Sequence, residues 1–167
     1  MLKRRVHETV DASIFAEPKY VWSVSHTFKL PRNIVWAALK DADTWTKWLP
    51  LDKVIWTSSQ PFSVGTTRIV EFAGQQAGEY FFGWEEGYSM AFRFTESKVP
   101  FDAFAESYSL RDVPGGCELT LKHAAKTNAF ALLAIKPVAR VALKQGMKKL
   151  EKYLLANRHQ FEKIAVS

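Results

Sequence analysis

Several absences narrow the reading of this 167-residue chain. It has a single cysteine, Cys117, so no disulfide can form within it and a reducing compartment suits it. It has no run of about eighteen apolar residues, so no segment is expected to span a membrane. Its histidines, His7, His26, His123 and His159, lack the close His or Cys spacing of a zinc site, and no metal is expected. A P-loop, a dinucleotide-binding glycine fingerprint and a G-x-S-x-G elbow are also missing, and no cofactor is expected. The start, "MLKRRVHETVDASIFAEPKY", is basic without the continuous apolar stretch of a secretory signal, so the expected location is cytoplasmic.

Aromatic rings are abundant instead, at 14% of residues, including 12 Phe and 6 Trp. Hydrophobic content is 47%, ordinary for one globular domain. Such rings remove large apolar areas from water with few side chains. The net charge is +6. Much of it lies late, at Lys136, Arg140, Lys144, Lys148, Lys149, Lys152, Arg158 and Lys163. These cations read as the wet face of a helix. No nucleic-acid-binding motif accompanies them, so no nucleic-acid partner is expected.

Periodicity sets out the elements. "YVWSVSHTFKL" alternates and is rich in β-branched and aromatic residues, as a strand does. Pro31 then opens "RNIVWAALKDA", where Ile34, Val35, Ala38 and Leu39 share a helical stripe. "ADTWTKWLP" predicts a second short helix stopped by Pro50, with Trp45, Trp48 and Leu49 on one face. Six strand-like runs follow from "KVIWTS" to "GCELTLKHAA", divided by turn-like stretches and no helix, which favours antiparallel hairpins. The chain closes on an amphipathic helix with Ala139, Ala142, Leu143, Gly146, Met147, Leu150, Tyr153 and Leu154 on its apolar stripe. Pro137 is expected near its first turn or at a kink, and a glycine on the stripe, Gly146, suggests close packing or room kept for something else. The predicted class is α+β: a seven-stranded curved antiparallel sheet gripping a long C-terminal helix, with two short helices after the first strand. Residues 20–157 form this domain, 1–19 an N-terminal extension outside the core, and 158–167 a C-terminal tail.

The element order and three phrases resemble the START-like, or helix-grip, superfamily of polyketide cyclases, dehydrases and lipid-transport proteins. The phrases are "FKLPRNIVWAALKDADTWTKWLP", "VGTTR" and "GEYFFGWEEGYSMAFRF". The resemblance implies a domain that binds or processes small hydrophobic molecules such as lipids, polyketides or quinone-like compounds.

A curved sheet and a helix laid across it need not touch everywhere, and stiff rings can keep the space between them open. Trp36, Trp45 and Trp48 read as the entrance wall of such a cavity, or as ordinary core. Strand parity puts Cys117, Leu119, Leu121 and His123 on one inward face, and Phe104, Glu106, Tyr108 and Leu110 on another. Met90, Phe92 and Phe94 face inward likewise. In "GEYFFGWEE", Tyr80, Phe82 and Trp84 oppose Glu79 and Phe81, and either set can be the inner one. The candidate ligand site is Trp36, Trp45, Trp48, Tyr80, Phe82, Trp84, Met90, Phe92, Phe94, Phe104, Glu106, Tyr108, Leu121 and His123, with Leu143 and Met147 from the helix. Glu106, Tyr108 and His123 are candidate acid/base groups of a cyclase or dehydratase, since burial and pairing shift pKa values. The plainer alternative pairs Glu106 with Arg68 or Arg93. A third possibility is an interaction protein whose basic helix face meets an acidic partner or a membrane surface. The oligomeric state is not legible.

Overall fold

A computed structural model describes residues 3–166. Met1, Leu2 and Ser167, at the outer ends of the two flanking segments, lie outside the described residues.

The first strand of the expected order is β2 (Val21–Phe28), because a two-residue strand, β1 (Arg5–Val6), precedes it. Two short helices follow, α1 (Arg32–Lys40) and α2 (Ala42–Trp48). Pro31 occupies the N-cap position of the first without a side-chain hydrogen bond, and the Asp41 carboxylate caps the second by accepting from the Thr44 backbone N–H at 3.0 Å. Six strands come next: β3 (Lys53–Trp56), β4 (Thr67–Phe72), β5 (Gln75–Glu85), β6 (Ser89–Ser97), β7 (Ala103–Val113) and β8 (Gly116–Lys126). Every pairing among them is antiparallel, in the order β2-β8-β7-β6-β5-β4-β3. The long helix α3 (Ala129–Ala156) has 28 residues, about eight turns, and a short helix α4 (Arg158–Ala165) follows it. Asn128 caps α3 by accepting from the Ala131 N–H, and Pro137 sits inside the helix rather than at its start. The predicted α+β architecture is present, with the short β1 as an eighth strand.

Residues that the sequence sets apart from the domain pack onto it. The β1 strand pairs with the far end of β6 (Arg5 with Ser97, Val6 with Glu96), while β7 pairs only with the first part of β6, from Ser89 to Arg93. The sheet therefore parts between β6 and β7 at their connecting loop, and β1 takes up the vacated hydrogen bonds. Ile14, in a 3-10 helix over Ala12–Ala16, is buried against Ala103, Ala105 and Ala124 on the outer face of the sheet. In α4, Phe161 is fully buried in the main core. Isolated apolar residues such as Ile14 and Phe161 leave no periodic trace, so only the assembled surface reveals their partners.

The space under α3 is filled. Leu143, Met147, Leu150 and Leu154 belong to the core, with Phe28, Leu119 and Leu121 of the sheet and Trp48 of α2. A Cβ at Gly146 would stand 2.8 Å from the Trp48 carbonyl oxygen. The absent side chain lets α3 close onto α2, as a glycine on the apolar stripe suggested.

Candidate functional site

The cavity of interest lies beside α3 rather than beneath it. It has a volume of about 280 Å³, and none of its lining residues comes from α3. Trp45 and the Leu49-Pro50-Leu51 segment form one wall. Val70 and Phe72 of β4 and Phe94 of β6 form the sheet side. Val99, Phe101 and Phe104 close it where β6 and β7 part. Three charged side chains complete the lining: Arg68, Glu79 and Glu106. The parting of the sheet is what makes this volume. Two strands that cease to pair leave their inward side chains without a neighbour at sheet spacing.

The loop wall is tied down from the N-terminal extension. The Phe101 carbonyl accepts from His7 Nδ1 at 3.0 Å, and the Ser97 hydroxyl donates to His7 Nε2 at 2.7 Å. Ser97 Oγ in turn accepts from the Val99 N–H at 3.0 Å. Burial holds the His7 imidazole below its ordinary pKa, which suits the neutral ring these contacts require.

The polar floor comes from strand parity and one irregularity. On β5, Ala77, Glu79 and Phe81 face inward, opposite to Tyr80 and Phe82. A register shift between Phe81 and Gly83 then returns Trp84 to the inner side, where it meets Phe81, Phe62 and Trp36. Glu79 forms a buried ion pair with Arg68 across the β4–β5 ladder. The guanidinium lies 4.1 Å from the Trp45 ring centre and 4.5 Å from that of Phe92, and its Nη1 has no hydrogen-bond partner among the described residues. Desolvation pushes the Glu79 carboxyl up to about 7, opposed by Arg68 and reinforced by the negative charge of Glu106.

On β7, Glu106 Oε2 accepts from the Tyr108 hydroxyl at 2.6 Å. His123 Nε2, directly across the β7–β8 ladder, is 3.8 Å from the same oxygen, too far for a hydrogen bond, and has no hydrogen-bond partner among the described residues. Burial lowers the His123 pKa, so the ring is neutral at pH 7. The other oxygen, Glu106 Oε1, has no protein hydrogen-bond partner among the described residues.

The structure distributes the expected site residues unevenly. Trp45, Phe94, Phe104 and Glu106 line the cavity. Trp48, Met90, Phe92, Tyr108, Leu121, Leu143 and Met147 are packed core, and His123 is buried among Trp22 and Phe104. Trp36 and Trp84 both donate their indole N–H to Glu86, which fastens the β5–β6 turn onto α1. Tyr80 and Phe82 lie on the outer face, Tyr80 beneath Arg93 and Phe82 beside Phe15. Glu106, Tyr108 and His123 do converge, yet only Glu106 reaches the cavity wall. Of the ion-pair partners considered for Glu106, Arg68 belongs to Glu79 and Arg93 lies over the Tyr80 ring on the outer face. Sequence reasoning missed Leu49, Leu51, Arg68, Val70, Phe72, Glu79, Val99 and Phe101 as lining residues. The alternation that placed Glu79 opposite Tyr80 was a usable signal. The opening of the sheet at Val99 and Phe101 had none.

Residues 5–155 match the family model described as polyketide cyclase / dehydrase and lipid transport. The chain belongs to that family. Two similar relatives are proteins Rv2574 of Mycobacterium tuberculosis and Mb2604 of Mycobacterium bovis, each 36% identical over 152 residues, covering 87% of this chain and 91% of the relative. Among solved structures, protein MLL2253 of Mesorhizobium loti superposes with a TM-score of 0.64 at 16% identity, over 80% of this chain and 96% of that one. Protein NE0264 of Nitrosomonas europaea gives 0.64 at 12% identity, over 90% and 99%. These structures show that the fold is shared. This chain's cavity carries its charged groups on β4, β5 and β7, and its last wall is held by His7.

Proposed function

We propose that the protein binds a small, mainly apolar molecule in the cavity beside α3, with one polar end of that molecule donating a hydrogen bond to Glu106 Oε1. The supporting observation is the combination of a 280 Å³ volume with rings from Trp45, Phe72, Phe94, Phe101 and Phe104 and a carboxylate oxygen, Glu106 Oε1, without a hydrogen-bond partner among the described residues. Such pockets orient an apolar ligand through a few convergent polar groups. The volume is small for a ligand site, which favours a compact molecule over a long acyl chain.

The test is a set of matched probes, 2-phenylethanol, 2-phenylethylamine and phenylacetate, titrated by calorimetry into the wild type and Glu106→Gln. The expected result is saturable binding of the alcohol or the amine, weakened in the variant, with the carboxylate excluded. Absence of saturable binding by all three, together with no co-purifying mass in native mass spectrometry, overturns the reading.

A second reading, proton-transfer catalysis of the cyclase or dehydratase kind, is favoured by one observation. The cavity is lined by two carboxyl groups, and Glu79 titrates at about 7, in the range suited to acid/base work. In that reading the acid/base pair is Glu79 and Glu106, with Tyr108 and His123 positioning Glu106. Turnover of a bound probe that is lost in Glu106→Gln while binding persists separates it from simple binding.

A further inference from the structure

The outer face of α3 has a composition that the cavity does not explain. Phe130, Leu133, Val138 and Val141 are 85%, 74%, 70% and 58% exposed. Phe130, Leu133, Pro137 and Val141 follow one another at helical spacing and form a stripe along the first half of the helix. The opposite side supplies Leu132 and Leu143 to the core, so this half of α3 is apolar on both faces and has only one covered. A helix that is apolar all round is normally buried all round. Exposed apolar chains gathered in one place mark an interaction surface.

Charge narrows the partner. Between Glu118 and Glu151 the chain has no acidic residue. The helix carries Lys136, Arg140, Lys144, Lys148 and Lys149 in that interval, and none of them has an ion pair among the described residues. Lys136 is tied to the Lys19 carbonyl at 2.6 Å, while the other four are exposed. Lys144 and Lys148 continue the line of Phe130, Pro137 and Val141, so the stripe passes from apolar to basic along the helix. A second copy of this chain would set one acid-free basic face against another, which like-charge repulsion opposes. Nucleic acid would leave the four apolar chains in water. A lamellar surface with anionic headgroups above hydrocarbon satisfies both features at once.

We infer that the outer face of α3 docks onto an anionic lipid bilayer, with Phe130, Leu133, Val138 and Val141 entering the headgroup boundary and Arg140, Lys144 and Lys148 meeting the lipid phosphates. No helix among the described residues is long and apolar enough to cross a membrane, so the helix lies on the surface. The inference stands apart from the cavity, because docking requires no bound ligand.

The experiment is co-sedimentation of the full chain with phosphatidylcholine vesicles and with vesicles containing phosphatidylglycerol, at low and high salt. The protein is expected to sediment with the anionic vesicles only, and less as salt rises. Partition should fall about fivefold for each of Lys144→Gln and Lys148→Gln, and about tenfold or more for Phe130→Ser. These side chains are exposed, so the thermal midpoint should not move. Hydrogen exchange over residues 129–142 should slow when anionic vesicles are added. Three results overturn the inference: no sedimentation with anionic vesicles at low salt, sedimentation unchanged in Phe130→Ser, or a dimeric mass in solution that Phe130→Ser reduces to the monomer. The first leaves an acidic protein as the partner, and the last a second copy.

Discussion

The Tyr108 hydroxyl donates a 2.6 Å hydrogen bond to Glu106 Oε2, two residues earlier on the same face of β7. Tyr108 is fully buried, so its hydroxyl has no water to turn to, and burial with the adjacent negative charge raises its pKa well above that of an ordinary phenol. The pair fixes one oxygen of Glu106 and leaves the other for the cavity. Tyr108→Phe removes the donor without removing the ring that packs on Trp45 and Phe92. It should cost about 1.5–3 kcal/mol, the range for a hydrogen bond to a charged group. Urea denaturation would read this as a lower midpoint with an unchanged slope. A midpoint equal to that of the wild type would mean that the contact does not contribute.

Acid and base should loosen the fold through different groups. Glu79 titrates at about 7 in the fold against an ordinary 4.5, so it binds its proton more tightly when folded. Its contribution is therefore full below pH 4.5 and is lost as the pH rises through about 7. His7 and His123 are shifted down from 6.5 by burial, so theirs is present above pH 6.5 and lost as the pH falls below it. Glu79→Gln mimics the protonated carboxyl. Its urea midpoint should improve relative to the wild type as the pH is raised through 7. A difference between the two that does not change with pH would refute the assignment.

Gly146→Ala separates helix propensity from packing. Propensity alone predicts a gain of about 1 kcal/mol in the interior of a helix. The close approach predicts a loss, because the new Cβ would meet the Trp48 carbonyl oxygen at 2.8 Å and Trp48 Cε3 at 3.3 Å. The backbone oxygen cannot swing aside as a flexible side-chain end can. A lower thermal midpoint is expected, by several degrees. A higher one would show that α2 and α3 can part without cost.

Filling the cavity should abolish binding without harming the fold. Val70 is buried at the cavity wall, and Val70→Phe would extend a ring into the 280 Å³ space. The thermal midpoint should hold or rise, since the ring gains contacts where the wild type has few. Probe binding by calorimetry should disappear. Retained binding at full affinity would place the ligand elsewhere.

The element order was legible because it rests on local periodicity: alternation in "YVWSVSHTFKL", the stripe of Leu143, Met147 and Leu150, and proline and glycine at the breaks. Inward parity on β7 and β8 was legible for the same reason, and it brought Glu106 and His123 face to face across the ladder. Parity failed at β5 past Phe81. A bulge shifts the phase there, so Trp84 turns inward while Phe82 stays outside. A bulge depends on what the partner strand offers, here Ala91 of β6 opposite Gly83.

What the sequence determined by itself is the set of elements, their order and the aromatic character of the interior, because hydrophobic period and turn chemistry act within a few residues of chain. Where the hollow lies was decided only by tertiary structure. The tryptophans expected to prop it open mostly became core, since Gly146 allowed α3 to settle on Trp48 and close the space beneath. The open volume arose instead where β6 exchanges β7 for β1 and His7 holds the loop in place. The β1 and His7 contacts join residues ninety or more positions apart. No local pattern encodes them, because each depends on surfaces that exist only once the sheet has assembled.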